Sequence, residues 1–427
     1  MSNPSISCDV AIVGGGLAGL AAADFLKEKG IDAKIFEAQG VAGGRVFTNR
    51  NSSGAHCEIG AFSFTDAEKT LWKYIHRFSL EAVAQSPIDR EFHFNGITGH
   101  FSDKGDFLEG EEVHIKLKDL LPFYLGRMEK RGEDESVASS LQRAGASEKA
   151  IQWLQENTII GLLGDSLEKV SLLFMRQFLA QYEGSNATYS LRGGNDGLSK
   201  ALVTHLKERV YFNFPILKIV RTASSIILEG NQRVFARKAI IAVPLAALKQ
   251  IEFSPPLPKE KQEAISTVPY TACSQVRFIG PAGIFKEIRG GVFASTDHPP
   301  GWYRDQTSSQ AKQDQATVFS MSFTGPEARK KQGVPDKESA QEVLDGLKPF
   351  AHLGQVKWED HFFSWNEVKW VQGGYACYPP GKLPLQKILE VPVEELHFAG
   401  EHTSEKPASM NGALESGIRA AQECITK

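Results

Sequence analysis

The stretch Cys8-Asp-Val-Ala-Ile-Val-Gly-Gly-Gly-Leu-Ala-Gly-Leu-Ala-Ala-Ala-Asp-Phe-Leu-Lys-Glu-Lys-Gly30, continued by Ile31-Asp-Ala-Lys-Ile-Phe-Glu37, decides the fold. Cys8 to Val13 is a short apolar run that ends on the glycines 14, 15, 16 and 19. An Ala- and Leu-rich stretch follows to Lys29 and stops at Gly30, where a helix C-terminus belongs. Ala33 to Phe36 then alternates into Glu37. The order is strand, glycine turn, helix, strand: one right-handed βαβ unit with a parallel pair.

Chemistry explains the spacing. Gly14 permits the tight turn, Gly16 lets backbone approach a pyrophosphate, and Gly19 lets the helix pack on the strand. The helix N-terminus offers amides and a positive dipole end to the phosphates. Glu37 closes the second strand, where a carboxylate accepts hydrogen bonds from ribose hydroxyls. A glycine-rich turn alone is an ordinary loop; strand, helix and acid in register make it a dinucleotide site. The motif does not choose between flavin and nicotinamide dinucleotides.

Working outward, 427 residues exceed what one core usually holds, so two domains are expected. Apolar residues at 41% against 23% charged exclude a disordered chain. A net charge of -3 gives no electrostatic reason to expect nucleic acid or an anionic membrane as partner. The five cysteines are scattered without a Cys-x-x-Cys pair, which fits a reducing cytoplasm. The N-terminus carries no basic residue before its first apolar run, unlike a signal peptide. No apolar run is long enough to span a bilayer, so no membrane span is expected. The histidines show no metal spacing and no nucleophile motif is present, so no metal is expected and a cofactor must carry the hard chemistry.

Further along, Glu91 to Phe101 reads as a hairpin about Asn95-Gly96, and Val113 to Tyr182 as helical. Leu191 to Leu198 opens an amphipathic helix through Leu206. Tyr211 to Ile219 and Ser225 to Leu228 read as strands, and Ala239-Ile-Ile-Ala-Val-Pro-Leu as a strand buried on both faces. Phe253-Ser-Pro-Pro-Leu-Pro258 marks a boundary. Beyond it, Cys273 to Ile279 and Thr317 to Phe323 are strand-like and Lys337 to Phe350 is helical.

With these pieces placed, the whole chain resembles the flavin amine oxidase family of monoamine and polyamine oxidases. Glu37-Ala-Gln-Gly-Val-Ala-Gly-Gly-Arg45 is similar to its acidic residue and GG-Arg segment, where Gly44 and Arg45 lie against the FAD phosphates. Glu58-Ile-Gly-Ala61 resembles the segment that runs Gly60 and Ala61 beside the flavin ring. Ile216, after Pro215, matches a residue whose backbone contacts adenine. Trp365, Trp370 and Gly373-Gly374-Tyr375-Ala-Cys-Tyr378-Pro-Pro-Gly381 look like the aromatic substrate loop. Leu-His-Phe-Ala-Gly400-Glu401 resembles the closing strand, with Glu401 toward the pyrophosphate-ribose or its waters. Met410 opens a final helix that resembles one whose N-terminus, in the family, faces the flavin pyrimidine.

The resemblance implies an α/β fold with a Rossmann-like, glutathione-reductase-like FAD-binding domain from residues 1–70, 190–256 and 357–427. A discontinuous α+β substrate domain takes 71–189 and 257–356. It implies a small-molecule amine as substrate, oxygen or another electron acceptor, and oxidation of the amine to an imine with hydride-equivalent transfer to flavin N5. Hydrolysis of the imine and reoxidation giving hydrogen peroxide would follow. The oligomeric state, homodimer included, is left open.

Departures from the family pattern qualify this. Gln275 stands where the family usually has a lysine holding a water near flavin N5; its amide can hold a water but carries no charge or titratable proton. Tyr375 or Tyr378 can supply one aromatic wall, but Ser409 falls where the second tyrosine belongs. Tyr375 also directly follows Gly374 where a flavin-linking cysteine would be, so FAD is expected to be non-covalent. Finally, Ala61 is followed by Phe62, Ser63 and Phe64 with no arginine to clamp an amino-acid carboxylate, leaving Arg192 or Arg277 as substitutes. The catalytic candidates are Gln275, Tyr375 and Trp370. The rival readings are an L-amino acid oxidase, a flavin-dependent dehydrogenase or desaturase of a biosynthetic pathway, and a non-catalytic FAD-binding protein.

Overall fold

The computed structural model describes residues 5–85, 91–94, 97–100, 120–128, 133–157, 163–164, 166–185, 187–283, 302–312, 316–346 and 358–426. Its largest sheet is built on Ile6–Val13, paired in parallel with Ala33–Phe36 on one side and with Arg233–Ile241 on the other. Val210–Tyr211 extends it beyond Ala33–Phe36, and Leu396–Phe398 lies parallel to the end of Arg233–Ile241. The beginning of Arg233–Ile241 forms an antiparallel hairpin with Ile226–Glu229, and Lys218–Arg221 and Glu252–Ser254 complete the edge.

Alternation along the central strand explains why both faces are covered. Ala11 and Val13 enter one apolar core with Ala239 and Ile241, while Val10 and Ile12 enter another with Ile240 and Ala242. The second core lies beneath the helices Leu17–Glu28 and Met410–Ile425. Two-sided burial is what a parallel arrangement requires of its strands. The expected βαβ unit is present with its helix ending at Glu28 and Gly30 at φ +74°.

A second sheet is antiparallel throughout: Trp302–Asp305, Thr317–Thr324, Cys273–Gly280 and Glu359–Ser364, in that order. Val276, Phe278, Met321 and Phe323 point to one side, against Ala340 and Val343 of the helix Asp336–Gly346. The helices Leu120–Arg127, Val137–Arg143, Glu148–Asn157 and Leu172–Ala180 pack around Trp153, Tyr124 and Phe174. Among the described residues no helix is long and apolar enough to cross a membrane.

Some expectations need correction. Tyr211 to Ile219 is not one strand: pairing stops at Tyr211 and resumes at Lys218. Asn213 sits at φ +52° and Pro215 lacks an amide, so the intervening backbone cannot join a ladder. The buried strand of Ala239 begins six residues earlier, at Arg233, because its hairpin with Ile226–Glu229 extends it, and it ends at Ile241. The hairpin pairs Glu91–Phe94 with Ile97–His100, while its Asn95-Gly96 turn lies outside the described residues, as do 113–119 and 347–350 of the expected helices.

Candidate functional site

Four parallel strands end level with one another: Val13 lies opposite both Phe36 and Ile241, and Ile241 opposite Phe398. Directly beyond the first three ends lie Gly14, Glu37 and Ala242, and two residues beyond Phe398 lies Gly400; all four line one cavity of about 400 Å³. The carboxyl ends of parallel strands are where α/β sheets bind ligands, because the following turns diverge and leave a crevice. Gly14 takes φ +105°, and a Cβ there would sit 2.7 Å from the Ala242 carbonyl. Gly16 precedes the helix with no side-chain cap and no acidic residue in the first turn. A Cβ on Gly16 would meet nothing within 4 Å, so the helix end opens onto empty space. An uncapped helix N-terminus facing a cavity is suited to a phosphate.

Glu37 is buried, which pushes its carboxyl pKa up, and it lines the cavity. One carboxylate oxygen accepts the Gly15 amide at 2.6 Å and the other the Gln39 amide at 2.8 Å. These bonds fix the carboxylate at the strand end and lock it to the glycine turn. Gly44, Arg45, Gly60, Ala61, Ile216, Glu401 and Met410 line the same cavity. Gly19 does not; its Cβ would come 2.0 Å from the Gly14 carbonyl, so it acts by letting helix and strand approach.

Arg45 does not reach into the cavity as a free cation. Its Nη1 donates to Glu401 Oε1 and to the Gly374 carbonyl, both at 2.8 Å, and its guanidinium stacks 4.9 Å from the Tyr270 ring centre. Glu401 also accepts the amides of Ala376 and Ala408, each at 3.1 Å. One carboxylate therefore ties together the GG-Arg segment, the aromatic loop and the approach to the last helix. His402 beside it is buried and its pKa falls to about 3, from desolvation first and the Arg45 charge next, so it is neutral at physiological pH.

The final helix gives an exact account of its first amides. Ala413 bonds the Ser409 carbonyl, Gly412 bonds the Ser409 hydroxyl at 2.9 Å, and Asn411 reaches the Glu68 carboxylate. Met410 lines the cavity, and its amide has no protein partner among the described residues. A donor at the positive end of a 16-residue helix is left for a ligand.

The far wall comes from the second sheet. Cys273 pairs across from Thr324 and Gln275 from Ser322, so all four share one face, and all four line the cavity. Gln275 is 3% exposed and its Oε1 has no partner, an orphaned polar atom aimed into the cavity. Buried polar groups almost always find partners, so this amide is built for something the cavity holds. Trp365, Trp370 and Tyr375 add the aromatic surface. Trp365 is held by its indole N–H to the Ile59 carbonyl, and the Tyr375 loop is held by backbone bonds to Pro269 and Thr271. Burial holds the Tyr375 phenol well above its ordinary pKa, so it remains protonated.

Other candidates lie elsewhere. Tyr378 is fully buried and donates to the His402 carbonyl at 2.6 Å, so it is core and not a cavity wall. Cys377 is buried away from this cavity. Arg192 is bound to Glu81 and the Gln310 carbonyl, and Arg277 to Asn49 and Glu359; neither lines the cavity. Among the described lining residues Arg45 is the one permanent cation, and it already has its carboxylate. Sequence reasoning missed Glu68, Tyr270, Cys273, Ser322 and Thr324. Strand alternation from Gln275 would have found Cys273; the others depend on register and on packing between distant segments. No group of residues that could hold a metal exists among the described residues.

Comparison with known proteins agrees with this arrangement. The model of the family described as flavin containing amine oxidoreductase matches residues 17–425. Human amine oxidase [flavin-containing] B is 24% identical over 463 residues, covering 100% of this chain and 87% of that protein. The L-amino-acid oxidase of Mus musculus is 25% identical over 458 residues, covering 96% of this chain and 70% of its own. Among solved structures, putrescine oxidase bound to putrescine superposes with a TM-score of 0.85 at 20% identity, covering 99% of this chain and 100% of that one. Cyclohexylamine oxidase from Brevibacterium oxydans gives 0.84 at 22% identity, covering 99% of each. An uncapped helix end, a buried acid at the strand crest and a second free helix amide are the features a flavin dinucleotide needs, and the chain is a mixed α/β oxidoreductase of the flavin-containing amine oxidase family with FAD as its cofactor.

Proposed function

We propose that the protein oxidises the C–H bond beside the nitrogen of a simple amine, releasing an imine that water converts to a carbonyl compound and ammonia or a smaller amine. The observation that carries this reading is the cavity itself: it joins the nucleotide cradle to an aromatic wall, and its described lining offers no free cation for a substrate carboxylate. FAD supplies the two-electron acceptor. In this reading residues 1–70, 190–256 and 357–427 form its Rossmann-like, glutathione-reductase-like domain, and 71–189 and 257–356 form the substrate domain. The turn from Gly14 to Ala18 holds the pyrophosphate, Glu37 the ribose, Ile216 the adenine edge, and the Met410 amide the pyrimidine oxygen. Gly44 and Arg45, braced by Glu401, border the phosphates, and Gly60 and Ala61 run beside the ring.

Trp365, Trp370 and Tyr375 exclude water, which favours the neutral amine with its lone pair available. Gln275 holds a water by hydrogen bonding and leaves the site without the charge of an ammonium. Oxygen is the proposed final acceptor. Attachment is taken as non-covalent, since Tyr375 stands where the family's flavin-linking cysteine would be and Cys377 lies off the cavity. The scattered, unpaired cysteines support a cytoplasmic location.

The amino-acid reading has a relative to recommend it, but Arg192 and Arg277 are committed elsewhere and the cavity favours an uncharged chain. The test is aerobic turnover with simple amines, followed through carbonyl product and peroxide, with the flavin then released by denaturation. Equal amounts of carbonyl and peroxide and freely released FAD are expected. Carbonyl formed without peroxide, only when an artificial acceptor is added, would make the protein a dehydrogenase.

A further inference from the structure

Glu68 is a carboxylate that neither the nucleotide cradle nor the aromatic wall uses. It is 7% exposed and lines the cavity together with Thr65, Met410 and Ala413. Its own helix, Lys69–Arg77, docks on the first turn of the C-terminal helix: the Leu71 amide donates to Asn411 Oδ1 at 3.0 Å, and the Asn411 amide lies close enough to the Glu68 carboxylate to favour its charged form. A second amide, from Thr65, donates to it at 2.6 Å. Glu68 has no ion-pair partner among the described residues. The nearby cation, Lys406, is taken by Glu415 at 2.8 Å, and Glu415 also receives Asn411 Nδ2 and the Thr70 hydroxyl.

Two-electron reduction of FAD takes up two electrons and one proton and leaves one negative charge on the ring. A helix N-terminus beside the ring stabilises that charge through its amides and its dipole. Here that helix end is not offered whole. Ser409 takes one amide, the Glu68 carboxylate faces another with a formal negative charge, and the Met410 amide has no protein partner among the described residues. An anion held at the same helix end opposes the charge that reduction creates, and burial strengthens the opposition because little water screens it.

We propose that Glu68 is a positioning residue that sets the reduction potential of the bound FAD, acting through the C-terminal helix end to hold the potential down. The inference rests on the reading that this helix faces the flavin pyrimidine. A flavin with a lowered potential returns electrons readily to its acceptor and takes them less readily from the amine, so Glu68 trades one half-reaction against the other. Burial raises its carboxyl pKa to about 7, with the Thr65 and Asn411 amides and Lys406 pulling the other way and Glu415 adding to the rise. Measurements therefore belong on the alkaline side of that value, where the carboxylate is charged.

The experiment is the midpoint potential of the FAD-loaded protein against a reference dye, for wild type, Glu68→Gln and Glu415→Gln. Gln keeps an oxygen for the two amides and removes the charge. Glu68→Gln is expected to raise the potential by about 30 mV, a tenfold change in the two-electron equilibrium. Glu415→Gln, a charge change on the same helix away from the cavity, is expected to shift it by well under half as much. An unchanged potential with FAD fully bound would overturn the proposal, as would equal shifts in both variants. A raised KM for amines at unchanged potential would also overturn it and make Glu68 a substrate-binding group. Should Glu68→Gln not retain flavin, Glu68→Asp draws the charge back by one methylene and is expected to raise the potential by a smaller step, with no shift again contradicting the proposal. Failure of any amine to reduce wild-type FAD would instead count against the amine reading, leaving the potential measurement interpretable.

Discussion

Arg45 and Glu401 lie at opposite ends of the chain and meet at 2.8 Å, both largely buried. Each was readable from its local pattern, GG-Arg in one case and Gly-Glu after a closing strand in the other. Their pairing was not, because it depends on two segments folding to the same strand crest. Glu58 illustrates the other limit. Its pattern placed Gly60 and Ala61 at the cavity, yet the acid itself turns inward to the Thr48 hydroxyl and the Asn195 amide. Burial lifts its carboxyl from 4.5 to about 8. The folded state thus binds that proton more tightly than the unfolded chain does. The stability Glu58 contributes is full below pH 4.5 and is lost as pH climbs through about 8. Glu58→Gln is expected to flatten the decline in thermal midpoint across that window. A variant whose midpoint falls with pH as steeply as wild type would show that the buried acid is not what sets the slope.

At the scale of elements, the C-terminal helix and the first helix cross where Gly417 faces Ala18. A Cβ on Gly417 would lie 2.0 Å from the Ala18 carbonyl, a distance that backbone must move to relieve. Gly417→Ala sets two effects against each other. Alanine improves helix propensity by about 1 kcal/mol, while overpacking a close contact costs about 1–3 kcal/mol or more. At 2.0 Å the clash wins, so a net loss of about 2 kcal/mol is expected by urea unfolding, with weaker FAD retention because Leu17 and Ala18 line the cradle. A variant as stable as wild type would mean the helices separate without strain. The first helix was visible in the sequence through its Ala- and Leu-rich run stopped at Gly30, and the last through the family resemblance. Their contact was not, since the Gly417 position looks like any small residue until the partner helix is placed. The strand from Tyr211 failed for a local reason: residue composition suits a strand, but Asn213 in the left-handed region and Pro215 break the ladder.

For the molecule as a whole, the nucleotide side of the site was readable because one strand–turn–helix unit carries it in consecutive residues. The substrate side was only partly so. Gln275 came from matching a short segment, whereas Ser322 and Thr324 reach the cavity through antiparallel register with a strand nearly fifty residues away. Tyr378 was misplaced because two tyrosines three positions apart on an irregular loop can face opposite ways, and burial decided between them. What emerges is a cavity with dinucleotide features at one end, an aromatic and neutral polar wall at the other, and no unpaired arginine or lysine among its described lining. On the proposed reading, that composition favours amines over amino acids.

The most direct test is anaerobic mixing of the FAD-loaded protein with monoamines, diamines and L-amino acids, watching the flavin absorbance. Bleaching by at least one amine, with L-amino acids leaving the oxidised spectrum intact, is the expected result. A flavin that dithionite reduces but no amine bleaches, or that L-amino acids bleach in preference, would contradict the account.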